Sequence, residues 1–273
     1  MKLHLLVMAE FLKLFSRISA KLGLLASLAL GLAMPLLALL LVNSGLTVNG
    51  AEAQNYFSST PNDALVNALY VRSFPVGIRA FLVILGAQAV AGELASRTLR
   101  EDLLRPVPRW AVVVAKLAAL LMWDAVSLGV MFGAGALIGV VALGTDGAWM
   151  ATILAYFLAL VCDAGIIAIV LATGVATRST VATIAALIVF FVLDKMLGWA
   201  MVIASTAAMM FTTSEVVVRL LNQWPLLPSA AFASWAFVLP DATVNWVSVW
   251  SALLITASSL LFTLLWIRRM EVP

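Results

Sequence analysis

A single histidine and a single cysteine occur in 273 residues, and each scarcity removes a class of chemistry. The histidine, His4, stands near the N-terminus, so neither a Ser-His pair buried in a membrane nor a multi-histidine metal site can be built. The cysteine, Cys162, falls inside a long apolar run; with no second cysteine there is no intrachain disulfide, and the redox compartment is left open. No Gly-x-x-x-x-Gly-Lys-[Ser/Thr] phosphate loop is present, so the chain does not bind and hydrolyse ATP in that way. Charge is scarce too, at 11% of residues, too little for the surface of a soluble globular domain. No catalytic set, metal site, cofactor of its own or nucleic-acid partner is expected.

Apolar residues dominate instead. They make up 64% of the chain, and the mean hydropathy is +1.12, the profile of an all-α polytopic membrane protein. A hydrocarbon core about 30 Å thick needs roughly 20 apolar helical residues. Six runs qualify: 22–42, 74–91, 111–143, 149–173, 181–204 and 246–267. Pro35 interrupts the first, which a membrane helix tolerates. In the fifth, only 13 apolar residues precede Asp194, so that helix is expected to carry Asp194 and Lys195 into the membrane.

Basic residues orient the chain, since Lys and Arg beside short loops stay in the cytoplasm. With the N-terminus inside, Lys2, Lys13, Arg17, Lys21, Arg97, Arg100, Arg105, Arg109, Lys116, Arg178, Arg268 and Arg269 are cytoplasmic. Arg72, Arg79, Lys195 and Arg219 remain as intramembrane or external bases. Both termini are therefore expected in the cytoplasm.

Residues 1–21 read as an interfacial amphipathic helix, with Leu3, Leu6, Leu14, Phe15 and Ile18 among the lipid-facing candidates. A secretory signal fits less well, because Glu10, Lys13 and Arg17 are interleaved with the apolar residues. In the external segment 43–73, Thr60-Pro61-Asn62-Asp63 has the form of a helix start. A helix begun there and continued to residue 91, kinked at Pro75, would be about 45 Å long and would project beyond the outer leaflet. Residues 205–245 suggest short external or re-entrant helices, being apolar in part but broken by Pro228 and Pro240.

Between the second and third spans, residues 92–110 hold seven of the chain's 16 basic and 13 acidic side chains. Ala95, Leu99 and Leu103, four apart, give this cytoplasmic segment one apolar stripe, with Glu93, Arg97, Arg100 and Glu101 opposite and Pro106 and Pro108 ending the helix. Such a helix offers charge to the cytosol for docking; an ordinary positive-inside loop is the plainer reading. The residue order is more specific. It resembles the first cytoplasmic loop of type-2 ABC export permeases, here carried by Glu93, Thr98, Leu99, Leu103, Leu104, Pro106, Val107, Arg109 and Lys116. Arg97 stands where those permeases usually have Gly.

The resemblance implies that this loop is a coupling helix seated on a separate cytosolic ATPase subunit, which carries the ATP and Mg. It also implies a second permease copy or a paralogue, export rather than binding-protein-dependent import, and residence in a bacterial cytoplasmic membrane. Cargo in that family ranges over lipids, glycans, peptides, drugs and ions, so no one substrate is implied.

Counted from the cytoplasmic ends at 1.5 Å per residue, Arg79, Asp124, Asp163 and Asp194 reach depths of roughly 15 to 20 Å on four helices. Arg79 and Asp124, on consecutive antiparallel spans, are the expected ion pair. The same carboxylates would suit an ion- or proton-coupled secondary carrier, the main alternative. An intramembrane Ser-Lys enzyme using Lys195 would need a nucleophile or oxyanion motif, and none adjoins it. Gly129, Gly133, Gly135 and Gly139 form two Gly-x-x-x-Gly pairs in the third span, for close packing either within one subunit or between two.

Overall fold

The computed structural model describes residues 3–44, 47–48, 51–52, 60–73, 77–96, 108–145, 147–211 and 246–269. Among these residues, helices follow in order: α1 (Leu3–Phe15), α2 (Ile18–Ser44), α3 (Pro61–Arg72), α4 (Ile78–Ala87), α5 (Arg109–Leu143), α6 (Trp149–Thr177), α7 (Thr180–Phe211) and α8 (Trp246–Arg269). A π-helical turn, Gln88–Gly92, and a last α turn, Glu93–Ala95, prolong α4. Thr47–Val48 and Ala51–Glu52 pair as a two-residue antiparallel ladder.

The protein is an all-α polytopic membrane protein. Among the described residues, five stretches are long and apolar enough to cross a bilayer: Ile18–Leu41, Ile78–Ala95, Arg109–Leu143, Trp149–Thr177 and Val249–Arg269. The expected span over 181–204 falls in α7, of which Thr180–Asp194 is a shorter apolar stretch among the described residues. The helix itself runs on through Asp194 to Phe211.

One expectation changes at the second span. The helix expected over 60–91 is not continuous: α3 ends at Arg72 and is capped by Ser73, whose N–H and hydroxyl both donate to the Leu69 carbonyl, at 3.0 and 2.7 Å. The helix resumes at Ile78 after Gly77. Pro75, just between, lacks the N–H a continuous helix needs. α3, which begins in the segment expected outside the membrane, packs on the bundle. Ala64, Leu65, Ala68 and Leu69 are buried between α2, α5 and α6, and Thr60 caps the start by accepting from the Asp63 N–H.

Glycine makes room for α3. A Cβ on Gly135 would come within 2.6 Å of Leu65 Cδ2 and 3.1 Å of the Gly31 carbonyl, and one on Gly139 within 3.1 Å of Pro61. Gly129 and Gly133 differ, since among the described residues a Cβ on either meets nothing within 4 Å. Among those residues, Gly135 and Gly139 are therefore the pair of the row packed closely within the subunit. Gly135→Val is expected to cost about 1–3 kcal/mol by overpacking, seen as a lower unfolding midpoint in detergent. Gly129→Val should stay near wild type in the same assay; an equal loss there would contradict this division.

The N-terminal helix lies against the bundle along α5. Leu6, Glu10 and Leu14, four residues apart, share the face turned inward. Leu6 and Leu14 were expected to face lipid; they pack instead beside Ala111, Val112 and Val113. Leu3 and Ile18 remain exposed. Between α6 and α7 the chain reverses tightly, with Arg178 in the left-handed conformation (φ 55°) and its N–H donating to the Gly174 carbonyl.

Candidate functional site

Two charge clusters lie inside the bundle. The deeper one forms where α3 breaks. Arg72, the last residue of α3, donates from Nη2 to Asp124 Oδ1 on α5 and from Nη1 to Asp163 Oδ2 on α6, the latter at 2.5 Å. Arg79, in the first turn of α4, donates from Nε to Asp163 Oδ1 at 2.8 Å. Each Asp163 oxygen thus holds an arginine from one side of the break. Arg72, Asp124 and Asp163 are fully buried, and Arg79 nearly so.

In ionised form these two cations and two anions sum to zero, which makes their burial tolerable. A lone buried ion loses several kcal/mol of solvation, whereas a mutually bonded set recovers most of that. Sequence spacing anticipated three of the four members. Arg79, Asp124 and Asp163 do meet, but Arg72 is the cation on Asp124, where Arg79 had been expected. Because the helix breaks between Arg72 and Arg79, helical spacing gave no signal for Arg72. Asp194 is buried on α7. The Lys195 side chain lies outside the described residues.

The second cluster gathers at the end of the bundle that holds α1 and the C-terminus of α8. Glu93 Oε2 accepts from Lys116 Nζ at 2.5 Å, and Glu93 Oε1 from Lys13 Nζ at 2.6 Å and Arg17 Nη2 at 3.3 Å. Lys116 Nζ also donates to Glu10 Oε2 at 2.9 Å. Only 4% of Glu93 is exposed, so it does not offer its charge to the cytosol as its place opposite the apolar stripe had suggested. Lys116, two turns into α5 and itself buried, draws the carboxylate inward. A neutral tie lies nearby: Ser19 Oγ donates to Gln88 Oε1 at 3.2 Å, joining α2 to the π-helical turn.

Glu93 therefore links α1, α4 and α5 at the point where the charged segment begins. Arg97, Thr98, Leu99, Arg100, Glu101, Leu103, Leu104 and Pro106 lie outside the described residues. At the segment's other end, Arg109 Nη1 donates to the carbonyls of Ile267 and Arg268 at 3.1 and 3.5 Å. A cation there complements the negative end of α8.

The family model described as ABC-2 family transporter protein matches residues 21–271. The chain belongs to the ABC-2 transporter family. Among curated proteins, no sequence matches it. This ABC-2 protein is thus a membrane permease of an ABC transporter, and the secondary-carrier reading of its carboxylates is set aside. Asp124 and Asp163 are in any case occupied by arginines. The match begins after α1, so the Glu93 cluster joins the ABC-2 region to a helix that precedes it.

Proposed function

We propose that this permease forms part of the translocation pathway of an ABC exporter, driven by a separate cytosolic ATPase subunit that binds ATP and Mg. A second permease copy or a paralogue completes the pathway. In this reading the protein lies in a bacterial cytoplasmic membrane with both termini inside. Residues 92–110 form the coupling loop: Arg97, Thr98, Leu99, Arg100, Glu101, Leu103, Leu104 and Pro106 meet the ATPase, while Glu93 and Arg109 root the two ends in the bundle.

The observation that carries this reading is the Glu93 cluster. A buried carboxylate bonded to bases from α1 and α5 resists being pulled out alone, so displacement of the adjoining segment is delivered to both helices. The π-helical turn immediately before it is a local departure from α geometry of the kind often found where helices serve function. The reading is tested by reversing Arg97 and Arg100 to Glu and recovering the complex through a tag on the permease. ATPase recovery is expected to fall at least several-fold while the amount of permease in the membrane is unchanged. Undiminished recovery would refute docking through this segment.

A further inference from the structure

We propose that the ends of α5 and α8 beside Arg109 form a binding site for one anionic phospholipid of the cytoplasmic leaflet. The placement in that leaflet rests on the topology just proposed; the site itself does not. Between the start of α5 and the last two turns of α8 lies a groove of about 460 Å³. Arg109 and Arg268 stand at one end, Trp110 beside them, and Leu261, Leu264 and Leu265 line the rest. Among the described residues, no carboxylate lines it.

Charge and shape select the occupant. Arg109 is held in place by the two α8 carbonyls it caps, so its guanidinium is ordered before any ligand arrives. Arg268 is exposed at the same level. Arg269 adds a third cation in the last turn, more positive charge than the partial negative end of one helix neutralises. Arginine pairs well with phosphate oxygens, through planar paired donors. Trp110, half exposed, is the residue type that settles at the headgroup level.

From Arg268 back to Leu261 is about two turns of helix, roughly 10 Å, and that length is walled by leucine. A free phosphate would leave this wall empty. A phospholipid fills both parts, its headgroup between the arginines and the first carbons of one chain along the leucines. The exposed apolar face of α8, including Leu254, Leu261 and Leu265, continues the path into the hydrocarbon. Basic recesses between membrane helices on the cytoplasmic side suit anionic headgroups for these reasons.

The test uses the full chain purified in detergent. Its unfolding midpoint and its bound lipid, by native mass spectrometry, are measured with phosphatidylglycerol, with phosphatidylcholine and with inorganic phosphate. Phosphatidylglycerol is expected to bind at least tenfold more tightly than phosphatidylcholine and to raise the midpoint; phosphate should do neither. Arg268→Gln should weaken phosphatidylglycerol about fivefold. Leu261→Trp, placed at an exposed wall position so that folding is spared, should abolish its advantage.

Equal binding of the two lipids would overturn the proposal, as would a preference that survives both variants or a phosphate effect matching that of the lipid. Orientation is read separately, by labelling Arg178→Cys from outside intact cells in a background lacking Cys162. Labelling there would overturn the cytoplasmic placement and the coupling reading, while the detergent measurement would still decide whether the lipid site exists.

Discussion

Asp163→Asn is expected to be among the most destabilising single changes in the protein. The asparagine keeps the shape but removes the negative charge that faces both Arg72 and Arg79, and Asp124 then stands against two buried cations. Breaking a buried ion pair by removing one partner costs about 3–5 kcal/mol, because the remaining charge stays desolvated. The purified variant should show a markedly lower unfolding midpoint and reduced yield in the membrane.

Neutrality is what the cluster requires, so a compensating change should recover part of the loss. Arg79→Gln alone leaves an excess negative charge and should also destabilise. Combined with Asp163→Asn, it removes one charge of each sign and restores balance around the Arg72–Asp124 pair. The double variant is therefore expected to lose less than the sum of the singles, a coupling of about 1–3 kcal/mol. Strict additivity, or wild-type stability in Asp163→Asn, would show that water reaches these groups and that the bundle does not depend on them.

Glu93→Gln is expected to separate docking from coupling. The change weakens the bonds to Lys116, Lys13 and Arg17 without touching Arg97, Arg100 or Glu101, the side chains assigned to the ATPase. Recovery of the ATPase with the permease should stay near wild type. Transport-coupled ATP turnover should fall about tenfold, corresponding to about 1.4 kcal/mol, because the segment can then move without moving α1 and α5. Glu93→Asp, shorter by one methylene, should fall between. If Glu93→Gln lost the ATPase as completely as reversal of Arg97 and Arg100, the carboxylate would belong to the docking surface itself. Normal turnover would remove it from the coupling path.

What could be read from residues alone was whatever depends on near neighbours in the chain. The apolar runs, the cap at Thr60 and the charged segment 92–110 are all local, since hydropathy and capping are settled within one or two turns; at Pro75 a kink was expected where the helix breaks. The inward face of α1 was also accessible in this way: Leu6, Glu10 and Leu14 recur at a spacing of four. Their burial together was missed because Leu6 and Leu14 were read as lipid-facing and Glu10 only as a charge interleaved among the apolar residues. Nothing in the local pattern announced Lys116 as its partner, 106 residues away.

The sequence by itself determined the membrane class, the span candidates and the resemblance of 92–110 to a coupling loop. It also placed Arg79, Asp124 and Asp163 at one depth, because rise per residue converts position into height. Only the tertiary structure decided which charges meet. Pairing across helices depends on how each helix is rotated about its axis, and that rotation is set by side chains packing against distant elements, such as Leu65 into the space left by Gly135. The break at 73–77 seats Arg72 and Arg79 on opposite oxygens of Asp163. Likewise, Glu93 turns inward because folding brings a buried lysine beside it, and a buried ion binds its counter-ion far more strongly than an exposed one does.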